Sequence, residues 1–191
     1  MARVGLSGAR LAQAGAELAD EVGFEQVTVS ALARRFDVQV ASLYSHVRNS
    51  DDLKTRIATV ALTELADQAS AALAGRAGAD ALTAMADVYR TYAHQHPGRY
   101  TAARHTPPAT NSAEYIAAGR RHSELWRAVL RGYDLGEPAQ TDAVRLIGSV
   151  VHGYVTLELA GSFSYSAPDS ADSWPRILDA LDTLLRTWSR P

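Results

Sequence analysis

Apolar residues recur along this chain at three- and four-residue intervals, and no stretch alternates as a strand would, so the predicted elements are helices. Leu11, Ala14, Leu18 and Val22 make a first stripe, and Gly23 stops it. Thr28 is placed to cap a second, short helix whose inward face is Val29, Leu32 and Phe36. Ala33 supplies a small side chain for close helix approach, and Asp37 occupies the turn, being a residue type that tolerates left-handed geometry. A third helix over Val40 to Val47 turns Val40, Leu43 and Val47 inward. It leaves Ala41, Ser42, Tyr44 and Ser45 outward, with Gln39 at its leading end.

The rest of the pattern is longer-wavelength. A long helix begins after Ser50 or Asp51, where a cap and two acids suit the positive end of the helix dipole. It runs through Leu53, Ile57, Val60, Leu65 and Ala69 to Leu73 and ends near Gly75. Leu82, Met85, Tyr89 and Tyr92 form the next stripe, closed by His96-Pro97-Gly98. A short helix over Gly98 to Arg104 precedes the break at Pro107-Pro108. Asn111 or Ser112 caps a helix carrying Tyr115, Ala118, His122, Leu125, Trp126 and Val129. Between Gly136 and Gly161 the polar arc is only Arg145, Ser149, His152 and Thr156, so this helix needs cover on two sides. The last helix repeats Trp174, Ile177 or Leu178, Leu181, Leu184 or Leu185, and Trp188, a heptad-like seam.

The pattern therefore predicts an all-α chain of about nine helices. Residues 1–48 form a three-helix unit containing a helix-turn-helix, and residues 49–191 form a bundle of about six helices. Two short helices joined this closely suit the DNA major groove, the second lying in it while the first braces on the backbone. The two apolar C-terminal helices predict a four-helix homodimer interface made with a second copy. Its expected residues are Val151, Val155, Leu159, Ile177, Leu181, Leu184 and Trp188.

Composition narrows the function classes. Of 191 residues, 47% are hydrophobic and 21% charged, an ordinary globular balance. The absence of cysteine removes disulfides, zinc–thiolate sites and cysteine nucleophiles. No apolar run approaches a membrane span and no signal-peptide core opens the chain, which predicts a cytoplasmic protein without a membrane partner. A net charge of -2 argues against a coat for nucleic acid but not against a local reader. Residues 27–50 carry Arg34, Arg35 and Arg48 against Asp37 alone, while Glu17, Asp20, Glu21 and Glu25 precede them.

Thr28-Val29, Leu32-Ala33, Val38, Leu43-Tyr44, His46 and Leu53 resemble the T-x-x-x-L-A-x-x-x-G-V-x-x-x-x-L-Y-x-H-F-x-x-K-x-x-L motif of TetR-type transcriptional regulators. The order of helices over the whole chain agrees. A weaker match, Val151-His-Gly-Tyr-Val-Thr-Leu-Glu158, looks like the C-terminal domain with a Trp-His-Gly signature. The chain departs from these patterns at Asp37 (glycine in the family), Val47 (phenylalanine), Ser50 (lysine) and Val151 (tryptophan). The family's lysine contacts phosphate, so one backbone contact is missing. The N-terminal arm carries only Arg3 and Arg10, where many relatives are more basic.

The resemblance makes Tyr44 and His46 phosphate positioners, with Thr28 and Arg48 as candidates beside them. Gln39, Ala41, Ser42 and Ser45 are the candidates for base edges, where Gln pairs with adenine and Ser or a methyl reads less strictly. No arginine lies on this helix, which disfavours strong guanine reading from it. In the body, Tyr89, Tyr92, His122, Trp126, Tyr154 and Glu158 are the candidate ligand-binding residues, in a mostly apolar, aromatic cavity. His122 and Glu158 equally suit a core or interface ion pair. His94, His96 and His105 lack the i,i+4 spacing of a helical zinc site, so no metal or cofactor is expected. The expected function is a DNA-binding regulator, a repressor released from a palindromic operator by a small apolar or aromatic effector. Two alternatives stay open: a dimeric ligand-binding protein with weak or lost DNA binding, and a helical enzyme using His122 or Glu158 as base. No catalytic motif supports the enzyme.

Overall fold

The computed structural model describes residues 5–107 and 112–188. Among these it forms nine α-helices and no strand. They are α1 (Gly8–Val22), α2 (Val29–Phe36), α3 (Val40–Leu43), α4 (Ser50–Leu73), α5 (Gly78–Gln95), α6 (Pro97–Ala103), α7 (Ala113–Leu130), α8 (Ala139–Leu159) and α9 (Ser170–Thr187). Single 3-10 turns follow α1 at Phe24–Gln26 and α7 at Arg131–Tyr133. Arg3, Pro108 and Asn111 lie outside the described residues. Ser112 caps α7, its hydroxyl accepting the Tyr115 N–H at 3.3 Å.

The described residues fall into two compact units, one within Met1–Glu64 and Gln95–Gly119, the other within Leu65–His94 and Arg120–Pro191. In the first, Leu11, Leu32, Leu43, Val47, Leu53 and Ile57 share one core, each nearly or wholly buried. Burial of side chains of this size contributes roughly 1.5–3 kcal/mol each relative to exposure. Val22, expected on the inner stripe, is 48% exposed. Gly23, at φ 89°, ends α1 there, and Phe24 turns inward instead.

The turn between α2 and α3 is built by Asp37 at φ 51°, ψ 50°. The Val38 N–H bonds to the Ala33 carbonyl at 3.0 Å and the Asp37 N–H to that of Arg34 at 3.2 Å, the paired closure that ends many helices. Helix α3 is shorter than the periodicity predicts. Its hydrogen bonds stop soon after Leu43, because the Arg48 N–H is taken by the Asp52 carboxylate at 3.0 Å. The Asn49 side chain caps the following helix, accepting the Asp52 N–H at 2.8 Å.

Helix α6 packs directly on α1. A Cβ at Gly98 would stand 1.9 Å from the Ala19 carbonyl oxygen, so only glycine permits this approach. The Asp20 carboxylate accepts the Arg99 N–H at 2.9 Å and meets His96 Nδ1 at 3.1 Å, and the Arg99 guanidinium reaches Glu64 at 3.0 Å. In the second unit, α8 buries Ala143, Ile147, Val151 and Val155, and α9 buries Trp174, Leu178, Leu181 and Leu185. The seam thus selects Leu178 over Ile177 and Leu185 over Leu184.

Gly98→Ala should cost about 1–3 kcal/mol through overpacking against the α1 backbone. Urea unfolding measures it, and an unchanged midpoint would show that α6 does not dock this tightly.

Candidate functional site

Helix α3 is positioned from beneath by Leu43 and Val47, which are 0% and 2% exposed. With those two fixed, Gln39, Ala41, Ser42, Tyr44 and Ser45 are all exposed, and Tyr44 retains 51% of its surface. The expected outward row is therefore assembled on α3 and the residues directly flanking it. Ser45 Oγ donates to the Ser42 carbonyl at 2.7 Å, tying the end of the row. Thr28 caps α2, its hydroxyl oxygen accepting the Ala31 N–H at 3.0 Å. His46 is half-buried.

Arg48 is held differently from what its sequence position suggests. Its side chain is 82% exposed, yet its Nε and Nη2 donate to Asp52 Oδ1 at 3.3 and 3.0 Å. Arg56 Nε donates to the other carboxylate oxygen at 3.1 Å. Burial alone would push the Asp52 carboxyl up, but the Arg48 N–H and the two guanidinium groups outweigh it and hold the carboxyl below its usual range. Sequence reasoning saw Asp52 only as an acid at a helix start. The Arg48–Asp52–Arg56 spacing of four residues was the available signal for this clamp.

The second unit gathers the candidate ligand residues into two groups. Tyr89, 2% exposed, donates or accepts a 2.5 Å hydrogen bond with His122 Nδ1. Its ring lies 5.4 Å from Trp126 and 5.5 Å from His152. His152 was placed on the polar arc of its helix by sequence, and its contribution was missed. Tyr154 stacks between Phe163 and Trp174, at 4.9 and 5.0 Å, and its hydroxyl donates to the Ser170 carbonyl at 2.6 Å. Tyr92 is fully buried.

Glu158 is an ion-pair residue. Arg90 binds it through two bonds of 2.9 and 2.7 Å, and His94 Nε2 lies 2.9 Å away. The Arg90 guanidinium, against the opposing effect of burial and with help from Ser170 and His94, brings the Glu158 carboxyl down to about 2. Glu158 also lines a cleft of about 300 Å³ with Phe163, Ser164, Asp169, Ser170 and Ala171. His94 and His96 have separate carboxylate partners, Glu158 and Asp20, and the His105 ring edge rests on Phe24 at 5.2 Å. No cluster of three or more potential metal ligands occurs among the described residues.

Of the residues expected at a dimer interface, Val151, Val155 and Leu181 are buried within the chain itself at 0%, 0% and 5%. Leu159 and Leu184 are 40% and 44% exposed, joined by Leu157 at 48%, while Ile177 and Trp188 are half-buried.

A helix-turn-helix with its outer row free, followed by an all-helical body, defines the class of helical DNA-binding regulators. Residues 11–54 match the family described as bacterial regulatory proteins, tetR family, and residues 82–181 match the tetracyclin repressor-like C-terminal domain. The chain belongs to the TetR family of transcriptional regulators. It is 38% identical over 143 residues to the HTH-type transcriptional regulator Rv0681 of Mycobacterium tuberculosis, covering 74% of this chain and 65%, just under two thirds, of that relative. It is 26% identical to YobS of Bacillus subtilis over 97% of this chain and 92% of that one. A minocycline complex of a TetR variant from Acinetobacter baumannii shares the fold at TM-score 0.73 and 21% identity, covering 98% of this chain and 100% of that one. So does ActR of Streptomyces coelicolor in complex with actinorhodin, at 0.72 and 17%, with the same coverage. No described helix is long and apolar enough to cross a membrane.

The lowered Glu158 carboxyl carries a pH signature. Its folded value lies below its unfolded one, so the stabilisation is complete above the ordinary glutamate range and is lost as pH falls from there to about 2. Glu158→Gln should be less stable than wild type at neutral pH and should flatten the acid limb of stability. Equal acid limbs in urea titrations would contradict the ion pair.

Proposed function

We propose that this regulator is a homodimeric repressor, with residues 1–48 as reader and 49–191 as sensor and dimer body. The observation that carries the proposal is the exposed row Gln39, Ala41, Ser42, Tyr44 and Ser45 on and directly beside a helix anchored by Leu43. Two copies would enter successive major grooves of a palindromic operator about one turn apart or somewhat more. Tyr44, His46, Thr28 and Arg48 would set register on phosphates, and Gln39, Ala41, Ser42 and Ser45 would face base edges. The second copy would meet the exposed leucines of α8 and α9, Leu157, Leu159 and Leu184.

The proposed effector is a small apolar or aromatic molecule bound in the second unit, near Tyr89, His122 and Trp126 or near Tyr154 and Glu158. Minocycline and actinorhodin, named as bound in the two structural neighbours, are small molecules, which supports a small-molecule effector. One residue, His96, separates α5 from α6, and α6 is packed on α1. A ligand that shifts α5 would therefore pull on the reader's own first helix. The effector weakens operator binding only by its differential affinity for the two states, typically 5- to 150-fold. A cytoplasmic, non-enzymatic protein follows from this role.

A second function is favoured by the net charge of -2 together with serine at position 50: a dimeric ligand-binding protein with weak or lost DNA binding. A gel shift at low salt with DNA enriched by in vitro selection separates the two. Binding above the non-specific level is expected, and its absence removes the repressor. Tyr44→Ala should lower operator affinity at least about tenfold across sequences with the dimer intact. Unchanged binding would take Tyr44 out of the interface. Leu184→Asp should convert dimer to monomer in sedimentation without unfolding, and an intact dimer would refute the assigned face.

A further inference from the structure

Residues 27–50 of the reader carry three arginines, and the structure gives them different fates. Arg35 is neutralised by Glu21, at 2.8 Å to both carboxylate oxygens, and by Glu17 at 3.6 Å. Arg48 shares Asp52 with Arg56. Arg34 is exposed and, among the described residues, takes part in no ion pair. It lies one helical turn after Ser30 on the same face of α2, and both line an open hollow of about 380 Å³ with Asp37, Gln39 and Val40. The hollow thus joins the outer face of α2 to the leading end of α3, where the base-facing row begins. A helix that braces a recognition helix crosses the DNA backbone, so a cation on that face meets phosphate rather than base edges.

We infer that Arg34 is a phosphate-positioning contact for the operator, made from α2, in a reader whose expected lysine is Ser50. The inference rests on the DNA-binding function proposed above. Asp37 shares the hollow and carries the opposite charge, so a simpler role for Arg34 would be to offset Asp37. The two roles differ in salt dependence. A direct contact releases counterions, worth about 0.9 in the log–log salt slope per phosphate, or about 1.8 for a dimer.

The test is operator binding of the full-length dimer between 50 and 200 mM salt, for wild type, Arg34→Gln, Arg34→Lys and Arg34→Gln/Asp37→Gly. Glycine suits position 37, whose φ is 51°. The Arg34→Gln slope should be shallower by about 1.8, so that its deficit against wild type shrinks about 12-fold over that range. Arg34→Lys should keep the wild-type slope, and the double variant should stay shallow. An unchanged slope in Arg34→Gln, or a slope restored in the double variant, would overturn the contact. Loss confined to one base pair would overturn it too, in favour of base reading. Wild type binding no selected DNA would refute the repressor itself, whereas wild type binding normally beside an unchanged Arg34→Gln would refute this inference alone.

Discussion

A helix of four residues has no stability of its own, because the cost of nucleating a turn is not repaid over so short a length. α3 exists because Leu43 and Val47 are buried among Leu11, Leu32, Leu53 and Ile57, and the rest of the reader depends on that anchor. The left-handed Asp37 delivers the chain into α3 at a fixed angle, and the Asp52 carboxylate captures it at the far end through the Arg48 N–H. Between those two points every outward side chain is placed by inward ones. The proposed surface for a nucleic acid is thus a by-product of core packing, and a polar substitution at Leu43 would lose the row together with the fold.

The same logic explains why α6 belongs with the reader. Its seven residues close on α1 at a glycine, and the Asp20 carboxylate binds both the Arg99 N–H and His96. A small element tied by backbone-close packing and a partly buried acid transmits displacement instead of absorbing it. That gives the proposed effector response a physical route through the chain itself.

Much of this was legible in sequence because it follows from period and capping. The stripes of α2, α5 and α9, that of α1 up to Leu18, the cap at Thr28 and the turn at Asp37 are local, and each is found where the pattern puts it. Most of what was not legible depends on partners distant in sequence. Periodicity could not say that Glu158 would meet Arg90 and His94 on α5, nor that His152 would face Tyr89. Nor does an apolar stripe reveal whether its partner is the same chain: Val151, Val155 and Leu181 are buried within this one. The end of α3 was misplaced because Asp52, four residues ahead, competes for an amide the helix would otherwise use.

The central claim is that two anchored α3 helices read DNA together at a fixed spacing. Hydroxyl-radical footprinting of the protein on its selected operator tests this most directly. Two protected half-sites related by a dyad, on one face of the duplex and about one turn or slightly more apart, are the predicted result. A single protected patch, or uniform protection that vanishes as salt is raised, would contradict it.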